Sequence, residues 1–444
     1  MNVNVNGPAR TRTRKPAGRP PRPTIDAGQV ARAAVRVVRD VFPELNRWLN
    51  GLPDPRRPER CRYDGAHVWW QPLGMNLFRC GSRNVFDGQR NSGQAPWNMG
   101  FLCGQGPDDP RFDGTPTITC SDNAAHHASR VDPAAVAEIP LRMVRQLFQR
   151  RLLEGGRLFD HWYIVTLDGT VQQKCRQGFA ADGKTGAGDA RFHYVLQAVL
   201  HGPGDTVVPF MHESMDVHDP EREKEDCELK AFLRLSQRIK QAFPRLPICV
   251  NADALYGCQA ALHRCAEYGW KYVFTLKEGR QPTTWSEVIR LLPLNRANRL
   301  RVRLGDQDHD GLQDLCWLED VMLGEGQSHV ILQGEINAEA ATLYVYLTNF
   351  PKLNPGRVLA IANQVGRQRH QIEDLFNIEK NHGIGLEHVF CANTTAANNY
   401  YTMMQVAYIL WTLISQGCLL RLYDWARRAT PIALARAAGE GLRA

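Results

Sequence analysis

The sequence predicts an α/β fold, in which a mixed β-sheet is flanked by helices and carries an inserted β-rich subdomain behind a largely helical N-terminal region. Three observations support this prediction. Apolar and β-branched segments indicate successive strands up to about Phe210, and helices then alternate with strands up to Thr275. The pattern becomes β-rich between about Ala297 and Asn349, and helical patterns resume near Val358.

The front of the chain divides into a polar arm and a helical region. Residues 1–25 are rich in Arg, Pro, Gly and Asn, which is typical of a disordered basic arm. A helical pattern runs over about residues 26–49, and residues 53–131 are rich in turn residues, which predicts irregular structure. Asp132-Pro133 then opens a second helix, with Asp as the cap and Pro in the first turn.

The middle of the chain carries the predicted sheet. Its elements are strands at Trp162–Leu167, Val171–Gln177, Phe192–Leu200 and Thr206–Phe210, a charged helix from about Pro220 to Phe243, a strand at Leu246–Ala252, a helix at Gln259–Tyr268 and a strand at Lys271–Thr275. The chain is therefore divided into an N-terminal region (26–158), a first core part (159–296), the insert (297–350), a second core part (351–425) and a tail (426–444).

Two aspartates follow predicted buried strands. Asp168 comes directly after one apolar run and Asp253 after another. In an open α/β sheet, strand ends form the crevice where ligands and metals bind, so both acids are candidate site residues. A structural role is the alternative for each residue: Asp168-Gly169 is a hairpin-turn dipeptide, and Asp253 can cap the helix that begins near Leu255.

A third acid, Glu373, lies in the pattern Arg369-x3-Glu373-x6-Lys380. At about 100° per residue, offsets of four and seven return to the same side of a helix, so these three residues form one stripe. Asp374 and Glu379 lie off this stripe. A carboxylate between two cations suits a site that holds a metal ion and grips phosphate. The alternative is a solvated helix face with ordinary ion pairs.

Taken together, Leu167-Asp168-Gly169-Thr170, the segment from Ala252 to Gly257, and Arg369-x3-Glu373-x6-Lys380 resemble the three motifs of bacterial insertion-sequence DDE transposases. The resemblance covers roughly residues 160–420. The intervals are 85 positions from Asp168 to Asp253 and 120 from Asp253 to Glu373, and the longer one leaves room for an insert. In one departure, Gly366 stands where the family usually has a tyrosine.

The resemblance implies a ribonuclease-H-like core with a β-rich insert. It implies that Asp168, Asp253 and Glu373 are catalytic and bind Mg²⁺ or Mn²⁺, with two ions, and that Arg369 and Lys380 bind DNA phosphates. The expected partners are the DNA ends of the element and target DNA, with a homodimer in the paired-end complex. Residues 26–158 are then the candidate DNA-binding region. A metal-dependent nuclease and a DNA-binding protein without catalysis remain alternatives.

Charge and cysteine content agree with an intracellular, anion-binding protein. The net charge of +8 favours a polyanionic partner. The twelve cysteines have no regular spacing, which indicates a reducing compartment. A zinc site is one interpretation of Cys61, Cys80, Cys103 and Cys120 with His126 and His127, but their separations are unlike the usual ligand spacing, which favours buried thiols.

Two further patterns are weighed and set aside. Residues 401–420 are apolar enough for a membrane span, but Gln405, Ser415 and Gln416 interrupt them, which favours a buried helix. Gly178-x4-Gly183-Lys184-Thr185 fits a nucleotide-binding loop, but the chain that follows is strand-like where such a loop requires a helix. We therefore expect no membrane partner, no nucleotide cofactor and a cytoplasmic location.

Overall fold

The computed structural model describes residues 24–106, 109, 116–175, 184–185, 191–215, 227–304, 311–324, 326–336 and 341–444. These residues form a mixed α/β structure in which helices cover both faces of one ten-stranded sheet. The predicted α/β class is therefore confirmed. Of the predicted basic arm, residues 1–23 lie outside the described part of the chain.

Among the described residues, seven α-helices precede the sheet. They are α1 (Ala27–Arg36), α2 (Leu45–Asn50), α3 (Gly65–Leu77), α4 (Arg83–Gln89), α5 (Ala95–Leu102), α6 (Ser121–Ala128) and α7 (Pro133–Gln149). Asp26 caps α1 and Asp132 caps α7, each by accepting a backbone N–H at 3.0 Å. The predicted helix over 26–49 is broken near Pro43, because proline cannot continue the backbone hydrogen bonding.

The prediction of irregular structure over 53–131 is wrong, since α3, α4, α5 and α6 lie there. The clearest case is α3, in which every residue from Ala66 to Leu77 is buried. A helix that is buried on all sides has no polar face, so its sequence lacks the amphipathic period that marks a surface helix. Pro72 and the glycines of this helix add turn signals that burial overrides.

The sheet contains strands β1 (Tyr163–Cys175), β2 (Lys184–Thr185), β3 (Arg191–His201), β4 (Val207–Met215), β5 (Ile248–Ala252), β6 (Lys271–Thr275), β7 (Arg299–Leu304), β8 (Gly311–Leu323), β9 (Gly326–Ile336) and β10 (Ala341–Thr348). Their order is β2-β3-β1-β5-β6-β10-β9-β8-β7, and β4 also pairs with β3. The strands β1, β5 and β6 are parallel, whereas β3 is antiparallel to both β1 and β4.

One prediction about β1 is wrong. Neither a strand end nor a hairpin turn occurs at Asp168-Gly169, because β1 continues through both residues and pairs them with Gln197 and Leu196 of β3. The pairing of β1 with β5 covers only Tyr163–Thr166. Beyond that point β1 extends past its parallel neighbour, and Asp168 lies in this extension.

The remaining helices are α8 (Glu228–Ala242), α9 (Gln259–Tyr268), α10 (Pro282–Leu291), α11 (Pro355–Ile361), α12 (His370–Asn381), α13 (Thr394–Thr412), α14 (Leu420–Leu422) and α15 (Pro431–Arg443). The described part of the predicted helix from Pro220 begins at Glu228, and residues 216–226 lie outside the description. Apolar residues of α8 pack with Val165 and Val250 on one face of the sheet. Residues of α11 pack with Ile164 and Cys249 on the other face.

The β-rich segment between Ala297 and Asn349 is present as β7 to β10. Its strands extend the central sheet, because β10 pairs antiparallel with β6. The last helix, α15, also belongs to the folded structure, although a tail was expected there. The Arg443 carbonyl accepts the Gln94 N–H at 2.9 Å, so the end of α15 is tied to the front helices.

One stretch of the described residues, Thr394–Leu422, is long and apolar enough to cross a membrane by length and composition alone. Its first part is α13, which packs against β4 and α3 and is largely buried. Of the nucleotide-binding pattern, residues 178–183 lie outside the described residues. Lys184–Thr185 form β2, which pairs with β3, where a nucleotide-binding loop requires the start of a helix.

Candidate active site

Asp168 lies on β1, and Asp253 directly follows the end of β5, the parallel neighbour of β1. Thr166 of β1 pairs with Asn251 of β5, and each aspartate follows two residues later. Because side chains alternate between the faces of a strand, Asp168 is placed on the face that carries Thr166, and Asn251 of β5 shares that face. The Asn251 amide donates to the Val365 carbonyl at 2.8 Å, so this face is the one covered by the chain that leads into α12.

Glu373 reaches the same place from α12, which a buried hydrogen-bond chain fixes to the sheet. His201 Nε2 lies 2.7 Å from Thr166 Oγ1, and its Nδ1 lies 2.9 Å from Gln371 Oε1. Burial lowers the pKa of His201 to about 4, which favours the neutral imidazole near neutral pH. Thr166 is two residues from Asp168, and Gln371 is two residues from Glu373. The hydrogen-bond chain therefore fixes the position of α12 relative to β1.

Arg369 bridges two of the three acids. Its Nη1 lies 3.7 Å from Asp168 Oδ2, and its Nη2 donates to Glu373 Oε1. The expected stripe is therefore formed at its first two positions, although Arg369 belongs to a 3₁₀ turn that precedes α12. The structure brings Asp168 and Glu373 to one guanidinium from elements more than two hundred positions apart in the sequence.

Burial dominates the electrostatics of Asp168. It raises the pKa of this carboxyl to about 6, and the negative charges of Glu228 and Glu373 act in the same direction. Arg369 opposes the shift, as does the Gly169 N–H, which donates to Asp168 Oδ1 at 3.0 Å. In such surroundings, a further positive charge nearby stabilises the ionised form of the carboxyl group.

Sequence reasoning missed Glu228, the first residue of α8. Its Oε1 accepts the hydroxyl of the buried Tyr256 at 2.8 Å. Burial and the negative charges of Glu228, Asp168 and Asp253 all raise the pKa of Tyr194, to about 12, so these acids share one neighbourhood. No sequence signal marks Glu228, because the segment before it lacks a strand pattern and charged residues are common in the first turn of a helix.

Lys380 and Glu373 line one cavity of about 370 Å³, together with Gly169 and Tyr194. The Lys380 ammonium lies 3.2 Å from Glu387 Oε1, in the chain that follows α12. The backbone of that chain bonds to β1, since the Lys174 N–H donates to the Glu387 carbonyl at 2.8 Å. Two members of the predicted stripe, Glu373 and Lys380, therefore face one open space.

The other acids of α12 lie elsewhere, as predicted. Asp374 is exposed and lies 3.8 Å from His370, measured from Oδ2 to Nε2. Glu379 is completely buried, and neither of its carboxyl oxygens has a hydrogen-bond partner among the described residues. Burial raises the pKa of Glu379 to about 8, against the opposing charges of Lys380 and Arg79.

Packing explains why glycine occupies position 366, where the resembled family usually has a tyrosine. Gly366 ends a π-helical turn before Arg369, and a Cβ atom built on it would lie 2.5 Å from the ring of Tyr346. Tyr346 comes from β10, the strand that joins the insert to the core. A side chain at position 366 is therefore incompatible with this placement of Tyr346.

The residues present fit a divalent cation chemically, although they are not yet arranged around one. Hard cations such as Mg²⁺ take carboxylate oxygens, which Asp168, Asp253 and Glu373 supply. As they stand, no three His, Cys, Asp or Glu side chains among the described residues are grouped to hold a metal ion. Two of the three carboxylates are instead paired with Arg369. The cysteines and histidines of the zinc interpretation likewise form no such group in the described chain.

No protein-family model matches this sequence. A search of curated proteins also found no match. Seven chains of solved structures match the fold. One is a cryo-EM structure of a piggyBac transposase synaptic complex with hairpin DNA, with a TM-score of 0.39 and 8% sequence identity over 95% of this chain and 83% of that chain. A likeness of this size does not establish a family.

Proposed function

We propose that this chain is a DNA transposase that cuts at the ends of its own element and joins the freed 3′-hydroxyl to target DNA. The observation that supports the proposal is that Arg369 bridges Asp168 and Glu373, while Asp253 follows the strand that pairs in parallel with β1. Three motifs that resemble those of insertion-sequence transposases supply these residues in the expected order.

The topology supports a ribonuclease-H-like core for this proposal. The strands β4, β3 and β1 are successive antiparallel neighbours, and β5 and β6 then continue the sheet in parallel with β1. Three antiparallel strands followed by alternating helices and strands is the order that such a core requires. The strands of the insert are added beyond β6, at the far side from β4.

In this proposal Asp168, Asp253 and Glu373 would hold two Mg²⁺ or Mn²⁺ ions, whose positive charge would activate the attacking oxygen and stabilise the leaving one. The carboxylates would provide oxygen ligands, whereas Arg369 and Lys380 would bind phosphates and take no part in proton transfer. Arg369 leaves its present ion pairs with Asp168 and Glu373 and turns to a DNA phosphate, since a guanidinium binds phosphate as well as it binds carboxylate. Lys380 holds a neighbouring phosphate.

The partners follow from this chemistry. Double-stranded DNA is the substrate at both the cutting and the joining step, and two ends must be held together, which calls for a homodimer in the paired-end complex. The basic net charge of +8 suits a polyanionic partner.

The experiment that tests the proposal is metal-dependent cleavage of DNA that carries the flanks of the chain's own gene. Asp168→Asn should abolish nicking and leave end binding intact, because the amide keeps the shape of the side chain and loses its charge. Asp374→Asn is the matched control, since Asp374 is exposed on the same helix as Glu373. Full nicking by Asp168→Asn would exclude the assigned site.

A nuclease with the same three acids makes a different prediction in the same assay. It would cleave the DNA and produce no joined product, whereas a transposase covalently links the cut end to a target plasmid. A DNA-binding protein without catalysis would do neither in the presence of Mg²⁺ or Mn²⁺.

A further inference from the structure

Another cavity lies on a different side of α12 from Glu373. Ile378 of α12 lines it, five positions and therefore about 140° round the helix from Glu373. The cavity measures about 260 Å³, slightly below the roughly 300–1,000 Å³ that ligand pockets span, so it suits a small ligand. Six of its lining residues are Arg79, Asp205, Tyr408, Trp411, Gln416 and Arg427.

Arg79 is a buried cation with most of its hydrogen-bond donors unused. It lies in the chain between α3 and α4 and is only 4% exposed. Its Nη1 donates to the His382 carbonyl at 3.0 Å. A guanidinium has five N–H groups, and the remaining four have no partner in the described part of the chain. Because Arg79 lines the cavity, a ligand held there can accept from these groups.

The charge of Arg79 lacks a matching negative charge. Arg79 forms no ion pair with a described residue, although buried charges are usually paired. Burial lowers the pKa of Arg79 to about 10, against the opposing effects of Tyr408 and Glu379. Burial raises the pKa of Glu379 to about 8, so its neutral form is favoured near neutral pH. The Trp411 ring centre lies 5.5 Å from the guanidinium carbon, a cation–π contact that brings no net charge.

Two further donors line the same cavity. The Tyr408 hydroxyl has no hydrogen-bond partner among the residues that the structure describes. Arg427 is exposed, and its Nε donates to the Leu420 carbonyl at 3.2 Å, which leaves its Nη groups for a ligand. The cavity therefore presents hydrogen-bond donors from three segments that are distant in the sequence.

Asp205 is the one acid among the described residues that line the cavity, and it would repel an anion held close to it. Its Oδ1 accepts the Gln371 amide at 3.3 Å, near the start of α12. Arg79 instead bonds to His382, directly after the end of α12. The chain from Gln371 to His382 spans about 16 Å along the helix axis, so Asp205 and Arg79 lie towards opposite ends of α12.

We propose that this cavity binds a small oxyanion, a carboxylate or a phosphate group, which accepts from Arg79, the Tyr408 hydroxyl and Arg427. A guanidinium presents parallel N–H groups that match two oxygens of either anion. A guanidinium buried this deeply is out of reach of a rigid duplex, so the ligand is a small molecule. The inference goes beyond the proposed function and does not depend on it. The bound anion joins the chain between α3 and α4 to α13.

The test measures anion binding to the full chain by isothermal titration calorimetry, without DNA or divalent metal. Inorganic phosphate and acetate are titrated separately, at a constant ionic strength set with chloride. We expect saturable binding of a single anion per chain. Binding of phosphate alone identifies a phosphate site, binding of acetate alone identifies a carboxylate site, and binding of both identifies a general oxyanion site.

Variants locate the binding in the cavity. Arg79→Gln should weaken it by more than about tenfold, because several charge-assisted hydrogen bonds are lost. Tyr408→Phe removes a single hydroxyl and should weaken binding by about tenfold, the lower limit for one hydrogen bond to a charged group. This second variant decides the question if Arg79→Gln does not fold. Arg428→Gln is the matched control and should keep the affinity, since Arg428 is an exposed neighbour of Arg427 outside the cavity lining.

The absence of saturable binding of either anion to the wild-type chain would overturn the proposal. Equal affinities in the wild type and Tyr408→Phe, or equal losses in Tyr408→Phe and Arg428→Gln, would also overturn it, because the anion would then lie on the basic surface. Displacement of the anion by duplex DNA would likewise place it outside the cavity. None of these results bears on metal-dependent nicking, so the proposed function stands or fails separately.

Discussion

Glu373 and Glu379 lie six residues apart on α12 and have opposite environments. Glu373 has half of its side chain exposed and is paired with Arg369 beside Asp168. Glu379 is completely buried, with neither carboxyl oxygen bonded within the described chain. Six residues turn a helix by about 600°, which places the two side chains on different sides. One side faces the site and the other faces the interior.

The difference shows that charge alone does not identify a site residue. Near Glu379 the interior supplies Arg79, which is itself buried and donates to the His382 carbonyl at 3.0 Å. Burial raises the pKa of Glu379 to about 8, so its neutral form is the one favoured by its surroundings near neutral pH. A neutral acid inside the protein cannot replace a carboxylate that must bind a cation.

The largest expected effect separates the two glutamates by activity. Glu373→Gln should lower metal-dependent nicking by roughly 10²- to 10³-fold, the range found when one charge-stabilising group is removed from an active site. Glu379→Gln should retain nicking, because glutamine resembles the neutral form of this side chain. Rates of supercoiled plasmid nicking measure both variants. Equal losses of nicking rate in the two variants would contradict the distinction between Glu373 and Glu379.

The second expected effect separates them by stability. The pKa of Glu379 in the folded chain is about 8, against 4.5 ordinarily, so the unfolded chain loses its proton first as pH rises. The contribution of the Glu379 carboxyl to the free energy of unfolding is fully present below about pH 4.5 and is lost as pH rises to about 8. Between these pH values, Glu379→Gln should reduce the change in the free energy of unfolding by up to about 1.4 kcal/mol per pH unit. Urea unfolding at several pH values measures it, and identical slopes for variant and wild type would contradict it.

A third effect concerns the pH dependence of metal binding at the proposed site. The pKa of Asp168 is about 6, so metal affinity should rise as pH increases through that value and the carboxyl loses its proton. Arg369→Ala should shift this rise to higher pH, because the guanidinium holds the pKa down. Mn²⁺ titration across pH 5 to 8 measures it. Arg367→Ala is the control, since Arg367 pairs with Glu335 at 3.3 Å. An unchanged midpoint in Arg369→Ala would contradict the assignment.

The smallest effect concerns one phosphate contact. Lys380→Ala should reduce the slope of log affinity against log salt by about 1 for duplex DNA. Lys240→Ala is the matched control. The Lys240 ammonium donates to the Tyr268 carbonyl at 3.2 Å, and Lys240 lies at the end of α8 opposite to Glu228. Equal slopes in Lys380→Ala and the wild type would remove Lys380 from the phosphate role.

Local patterns predicted much of the fold and the candidate residues. The strands that precede Asp253 and follow Tyr268 lie where apolar runs place them, and Asp132-Pro133 starts a helix as its capping chemistry requires. The failures also have a physical cause. The helix α3 is buried on all sides, and the strand β1 continues through a turn dipeptide because β3 supplies hydrogen bonds on its flank.

The sequence by itself determined which residues could share a site, since the stripe of Arg369, Glu373 and Lys380 depends only on the helical period. Tertiary structure alone decided that Glu228 joins these acids, that Arg369 bridges Asp168 and Glu373, and that Tyr194 lies on Gly169. The reason is that periodicity specifies the face on which a residue lies within its own element. The neighbours of that face come from packing between segments that are far apart in the chain.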